Sequence, residues 1–240
     1  MKCKTESIVL RKFPYGESDL IITLFSKTHG KIKGFAKSGR VSKKRFNNSF
    51  QVGAQLQVMF NENPRSQMVS LLEAIPIKKY SSAFTLDSIA NMMRILELAD
   101  KFLAEGEASV EKYALMEKAL DGITSNQFGK TDLLKFQFDW LIKCGFSPCF
   151  DSCVLCRIPL KSKAEWFFSS PLGGVTCSSC RTQEGSQLSS ESVKLFTHIG
   201  REPFDCDDHL CAELDHLLSG YAEYVLGQEL KARRLSNELI

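Results

Sequence analysis

Four cysteines in two pairs, Cys153-Val-Leu-Cys156 and Cys177-Ser-Ser-Cys180, carry the spacing of a metal site. Residues 157–176 separate the pairs, which matches the two-knuckle zinc pattern. Each CxxC turn can present two thiolates to one ion, and two such turns complete a tetrahedron. Sulfur would then fill every position and leave none for water, so the expected ion is a structural Zn2+. The competing readings are four unrelated thiols or a redox CxxC pair. Cys149 and Cys144 lie close by in sequence, and either could replace a ligand, but neither has a CxxC partner. Both are read as packing residues or free thiols, as are Cys3, Cys206 and Cys211.

Catalytic metal chemistry finds little support. The zinc deaminases need H-x-E with P-C-x-x-C. Here Pro148-Cys149 is followed by three residues before the next cysteine, and none of the histidines at 29, 198, 209 and 216 begins H-x-E. The chain also lacks H-E-x-x-H, G-x-S-x-G and a P-loop. No catalytic residues are assigned, and the protein is not expected to be an enzyme.

The second chemistry is electrostatic. Lys31, Lys33, Lys37, Arg40, Lys43, Lys44 and Arg45 fall within fifteen residues that contain no acid. A strand followed by a loop of this composition, made partly flexible by Gly34 and Gly39, can lay cations along a phosphate backbone. Nothing in it resembles a base-reading helix, so binding should be independent of sequence. Phe35, Phe46 and Phe50 could stack on bases or fill a barrel core. The asymmetry extends beyond this segment. Residues 1–80 hold fifteen Lys/Arg and five Asp/Glu, a net +10; residues 81–240 hold sixteen and twenty-three, a net −7. A basic head on an acidic body points to a polyanionic partner, against the alternative of a solvated basic surface.

The elements that must position these groups can be read from periodicity. Glu6 to Leu10, Leu20 to Phe25, Lys31 to Phe35, Leu56 to Phe60 and Met68 to Ile75 read as strands, with turn chemistry at Asn61-Glu-Asn-Pro64. Five short strands in so little chain predict a small closed barrel, either an OB-fold or an SH3-like barrel. From Ser82 the period lengthens. Ile89, Met92, Met93, Leu96, Ala99 and Leu103 mark one helix, and Tyr113, Met116 and Leu120 a second after Gly106. Thr131 is the expected N-cap of a helix running to Lys143 that is apolar most of the way round, hence central to a core. Between the cysteine pairs, Trp166-Phe-Phe168 and Gly173-Gly174 predict a hairpin. Helical spacing returns with Val193 to Ile199 and Leu210 to Val225. The predicted class is α+β: a barrel domain over 1–80, then a helical domain over 81–240 with a zinc module inserted at 149–181.

The bulk numbers agree. Across 240 residues, 43% hydrophobic and 25% charged is ordinary globular composition. No run approaches the roughly 18 apolar residues of a membrane span, and the first residues lack the apolar region of a signal peptide. Nine cysteines, an odd number, without an export signal fit a reducing cytoplasm in which clustered thiols bind metal.

The order of motifs resembles the bacterial RecO family of DNA repair and recombination mediator proteins. The carriers are Ser7-Ile-Val-Leu10, Tyr15-Gly-Glu-Ser-Asp19, Leu24-Phe25 with His29-Gly30, and Ala36-Lys-Ser-Gly-Arg40. Leu141-Ile-Lys-Cys-Gly-Phe-Ser-Pro148 precedes the first cysteine pair, Gly173-Gly174 precedes the second, and Tyr224-Val-Leu-Gly227 to Leu230-Lys-Ala-Arg-Arg234 closes the chain. The resemblance implies an amino-terminal OB-fold, a helical carboxy-terminal domain and, in many members, a four-cysteine zinc module. It further implies binding to single- and double-stranded DNA, annealing of complementary strands, partnership with RecR and with the tail of single-stranded-DNA-binding protein (SSB), and help in loading RecA. A general OB-fold module acting on RNA or DNA is the alternative.

Overall fold

The computed structural model describes residues 1–62, 65–78, 84–160, 164–196 and 206–232. They form two compact units, one of residues 1–127 with the chain end from Ala232 and one of residues 128–231.

The first unit is built on a closed five-stranded barrel. Its strands are β1 (Lys2–Tyr15), β2 (Asp19–Ser26), β3 (Gly30–Ala36), β4 (Gln55–Asn61) and β5 (Val69–Pro76), in the order β1-β2-β3-β5-β4 with β4 paired back to β1. All neighbours are antiparallel except β3 and β5, which run parallel at Gly34↔Val69 and Phe35↔Ser70. That parallel closure decides between the two barrels in favour of the OB arrangement. β1 makes closure possible. Its first half pairs with β4, its second with β2, and a register shift between Val9 and Arg11 bends it from one to the other. The apolar residues that alternate along these strands, among them Ile22, Leu24, Leu56, Val58 and Phe60, are fully buried in the interior.

Among the described residues, this unit also carries the helices α1 (Leu86–Phe102) and α2 (Val110–Thr124). Thr85 and Ser109 cap them by accepting from the N–H of Ser88 and Lys112. They lie against the outer face of the barrel. Phe25 packs on Tyr113 with ring centroids 5.6 Å apart, and Arg11 reaches Asp100 at 3.2 Å. At Gly30, φ is +65° and the backbone of Glu107 occupies the place where a Cβ would sit, so only glycine fits this turn. These contacts gather residues up to Gln127 into one compact unit with the barrel.

The second unit contains α3 (Lys130–Lys143), the strands β6 (Trp166–Ser169), β7 (Gly174–Cys177) and β8 (Ser186–Gln187), and helices α4 (Ser190–Phe196) and α5 (Asp208–Leu226). α3 is buried at Leu133, Leu134, Phe136, Phe138, Trp140 and Leu141, as its apolar pattern requires. Its N-cap is Gly129 rather than Thr131. The Asp132 carboxylate accepts from the Gly129 N–H at 2.9 Å, while the Thr131 hydroxyl turns to Cys206. An aromatic cluster forms the centre, with Phe150 stacked on Phe196 and Phe168 and the Phe168 ring edge-on to Tyr221. Cys206 and Cys211 form a disulfide around Asp207, the N-cap of α5, contrary to their reading as unpaired thiols. Their Cα atoms are 5.8 Å apart, within the reach of such a bond. The expected helical segment 193–199 is described to Phe196, and its remainder lies outside the described residues. No helix among the described residues is long and apolar enough to cross a membrane.

Candidate metal centre and nucleic-acid interface

The four predicted cysteines converge. Their sulfurs all lie within 4.8 Å of one another, and Cys156 and Cys177, from different pairs, are 3.7 Å apart. A tetrahedron of Zn–S bonds of about 2.3 Å has edges of about 3.8 Å. The spacing therefore already fits a small thiophilic cation.

Local backbone geometry explains why. The first knuckle is folded by Cys153 N–H donating to Ile158 O at 2.8 Å and Arg157 N–H donating back to Cys153 O at 2.9 Å, with Arg157 at φ +63°. It is sewn to the hairpin by Val154 N–H to Val175 O at 2.9 Å and by Cys149, which exchanges backbone bonds with Gly173 and Val175. The hairpin is the predicted one, with Trp166 opposite Cys177. At Gly174 a Cβ would lie 2.6 Å from the carbonyl oxygen of Cys149, so the absence of a side chain there lets the two segments meet. The second pair opens into a single 3-10 turn, Ser178–Cys180. Cys149 stays outside the group of four, and its thiol donates to Ser152 O at 3.7 Å.

The electrostatics suit a cation as well. Burial pushes the Cys153 thiol up, but backbone N–H groups of Cys156, Cys177 and Leu155 outweigh it and bring it down to about 6. Cys180 is pushed up to about 12 by the sulfurs of Cys156 and Cys177, by burial and by Cys153. A thiolate is thus favoured at Cys153, while the neighbouring sulfurs make Cys156 and Cys180 harder to ionise. A divalent cation supplies the charge that four thiolates at this spacing require.

A second group of donor types, Cys3, His29 and Glu62, meets at one end of the barrel. There the imidazole lies 2.8 Å from the Thr28 hydroxyl and packs edge-on to Phe60.

The seven predicted cations divide into two sets. Lys31 and Lys33 lie on β3 facing acids. Lys31 donates to the Asp100 carbonyl at 2.5 Å and sits 3.7 Å from its carboxylate, and Lys33 pairs with Glu105 at 2.5 Å. The side-chain hydrogen bond from Lys33 holds the Glu105 carboxyl below its ordinary range. Lys37, Arg40, Lys43, Lys44 and Arg45 occupy the segment between β3 and β4, and all five are exposed. Among the described residues none of the five pairs with a carboxylate. Arg40 and Arg45 instead donate to the carbonyls of Glu17 and Lys37.

This segment is tied down at both ends, where its glycines predict a looser chain. Ser38 N–H donates to Asp19 at 2.6 Å, Arg40 N–H to Ser18 O at 2.9 Å, and Ala74 N–H on β5 to Arg45 O at 3.0 Å. Phe46 and Phe50 are buried in the barrel, with ring centroids 5.1 Å apart. That resolves their two readings in favour of the core. Phe35 is only half-buried.

Family models for the recombination protein O N-terminal and C-terminal regions match residues 1–80 and 83–234. The chain belongs to the RecO family. Relatives named DNA repair protein RecO span nearly the whole chain. That of Syntrophus aciditrophicus is 26% identical over 98% of this chain and 95% of its own length. Those of Bifidobacterium adolescentis and Myxococcus xanthus are 28% and 31% identical, over 96% and 95% of this chain and 97% and 93% of theirs. The RecO resemblance drawn from the ordered motifs is thereby shown, and with it a place among DNA repair proteins.

Proposed function

We propose that this RecO-family protein is a recombination mediator that binds single- and double-stranded DNA without sequence preference and anneals complementary strands. In this reading it assists RecA loading on SSB-coated DNA in the cytoplasm, with RecR and the SSB tail as protein partners. The observation that carries the DNA-binding part is the segment 37–45: five exposed cations with no acidic partner among the described residues, held in one place on an OB barrel. Annealing must bring two polyanions together, and such a patch lowers their repulsion. Backbone contacts tolerate any sequence, and base pairing supplies the specificity. Protein groups make or break no bond in this process, so we assign no catalytic residues.

The ion we propose for Cys153, Cys156, Cys177 and Cys180 is Zn2+. When bound it cross-links the first knuckle to the β6–β7 hairpin, and its closed sulfur shell offers no position for water. Its role is structural, within the second unit.

The test is annealing of complementary strands coated with SSB, with and without the protein. Acceleration is expected, and its absence would refute the mediator reading. Tighter binding to matched RNA than to DNA would favour a general nucleic-acid module instead.

A further inference from the structure

The outer face of the β1–β2–β3 sheet has two ends of different character. At one end α2 and α1 cover it. Phe25 is fully buried against Tyr113, and the cations Lys31 and Lys33 are matched by Asp100 and Glu105. At the other end nothing among the described residues covers it. Pairing places Phe13 of β1 opposite Ile21 of β2, and Ile21 opposite Phe35 of β3, so these three form one row across the sheet. Leu20, Ile22 and Ala36, their sequence neighbours, are buried in the barrel core, which places the row on the outside. Phe13 is 50% exposed and Tyr15 56% exposed. The Tyr15 ring stands edge-on to Phe35 at 5.8 Å, and the Arg11 guanidinium lies 4.9 Å above Phe13. Exposed apolar side chains scattered singly are ordinary, but here Phe13, Tyr15 and Phe35 adjoin one another in one patch, with Arg11 over one face of Phe13, and such contiguity points to a ligand.

The surroundings indicate which ligand. The basic segment is anchored to the hairpin that carries these rings. Arg40 donates to Ser18 O and Glu17 O, and Ser38 N–H to the Asp19 carboxylate, all within the β1–β2 turn. Cations with no acidic partner among the described residues and exposed ring faces therefore share one end of the barrel. A partner with regularly spaced negative charge and flat apolar faces matches both features, and that partner is a single-stranded nucleic acid. A duplex offers the phosphates but keeps its bases stacked inside. The cations can serve either form, whereas the rings can serve only an unpaired strand.

We propose that Phe13, Tyr15 and Phe35 form a stacking platform for the unpaired bases of single-stranded DNA, and that this platform sets the preference for single strands over duplex. This deepens the DNA-binding reading above and rests on it. A sequence-tolerant stack also suits annealing, since bases held by one face leave their pairing edges open to a complementary strand.

The test measures equilibrium affinity of the full chain for three fluorescent ligands: oligo(dT), an abasic strand of the same length, and a duplex. The unsubstituted protein should favour oligo(dT) over the abasic strand. Phe13→Ala and Tyr15→Ala should each weaken oligo(dT) binding by between about five-fold and about 150-fold, the range for loss of one stacked base. Abasic and duplex affinities, and the salt dependence, should stay within about two-fold, because the cations of segment 37–45 are untouched. Phe13→Trp provides a second readout that does not depend on truncation: its emission should be quenched by oligo(dT) and not by the abasic strand. Equal affinity of the unsubstituted protein for oligo(dT) and the abasic strand, or an equal loss on all three ligands in the alanine variants, overturns the platform while leaving DNA binding in place. Failure of the unsubstituted protein to bind any of the three would instead sink the DNA-binding reading itself.

Discussion

The salt dependence expected of the proposed DNA binding follows from the placement of the basic segment. Of the seven cations of the basic segment, Lys31 and Lys33 are already matched by Asp100 and Glu105, which leaves Lys37, Arg40, Lys43, Lys44 and Arg45. If each neutralises one phosphate, log K should fall with log salt at a slope of roughly −3.5 on a single strand and roughly −4.5 on a duplex. Between 50 and 200 mM salt, the single-strand slope amounts to a loss of about 130-fold in affinity. The sharper test removes charge without disturbing the barrel. The side chains of Lys37, Lys43 and Lys44 are exposed and form no hydrogen bond or ion pair among the described residues, whereas Arg45 bonds Lys37 O and lies over Phe46. The triple change Lys37→Gln, Lys43→Gln and Lys44→Gln should therefore fold normally and leave two cations. Its slope should shrink to roughly −1.4, so the same salt step costs only about seven-fold. Fluorescence anisotropy with a labelled oligo(dT) measures both slopes. An unchanged slope in the triple variant would place the phosphate contacts elsewhere, and a nearly flat slope in the unsubstituted protein would remove the electrostatic argument.

Other perturbations test other parts of the molecule. Cys177→Ser should abolish stoichiometric zinc and lower the melting temperature, because metal binding is coupled to folding; unchanged metal content and melting would contradict the four-sulfur site. Gly174→Ala sets a Cβ against the Cys149 carbonyl and should destabilise the second unit by about 1–3 kcal/mol in denaturant unfolding. Phe46→Ala empties a fully buried position in the barrel and should cost about 3–5 kcal/mol, whereas a merely base-stacking residue would leave stability unchanged. Glu105 is held below the ordinary carboxylate range by Lys33. Its folded form therefore binds its proton less readily than the unfolded chain does, so the stabilising contribution is complete above the unfolded value and is lost as pH falls through the folded one. An NMR titration of Lys33→Met should show the Glu105 midpoint moving up; no movement would mean that Lys33 is not its partner.

Some of this is legible in the sequence because the physics is local. A CxxC turn closes within a few residues, and two of them at ribbon spacing need only a hairpin between, which Trp166 to Phe168 and Gly173-Gly174 announce. The strand at Lys31 to Phe35 announces itself by alternation of charged and apolar side chains, and that at Leu20 to Phe25 by a β-branched apolar run. Other features are hidden because they depend on contacts between distant residues. The choice of an OB arrangement rests on β3 lying parallel to β5, and no periodicity reports which strands are neighbours. Lys31 and Lys33 look the same in sequence as Lys43 and Lys44, because only folding brings Asp100 and Glu105 onto them. Gly129 supplants Thr131 as a cap because Asp132 satisfies the free N–H from within the helix. The strand β1 shows the same effect most clearly. Its pattern reads as ending at Leu10, yet the strand runs to Tyr15. Residues 11–15 pair only with β2 and are exposed throughout, so they have no buried face to generate alternation. The absence of a core signal makes Phe13 and Tyr15 look like loop residues, and it is also what leaves them open to a ligand.

The same contacts that bury the barrel core also hold its cations. Phe46 closes the interior directly after Arg45, Arg45 O accepts from Ala74 on β5, and Ser49 donates to the Ala74 carbonyl at 3.1 Å. Between these anchors and those at Ser38 and Arg40, the basic segment cannot shift without losing core burial or backbone bonds. Preorganised charges lose little conformational entropy on meeting a phosphate backbone, which favours affinity at a given number of contacts. DNA affinity and barrel stability should therefore be coupled. Partial destabilisation by Phe50→Ala, which loosens the segment without changing any charge, should weaken oligo(dT) binding at a fixed salt concentration while leaving the slope near that of the parent. The slope counts charges and the intercept reports how well they are held, so a variant that altered the slope instead would show that Phe50 governs which cations reach the strand.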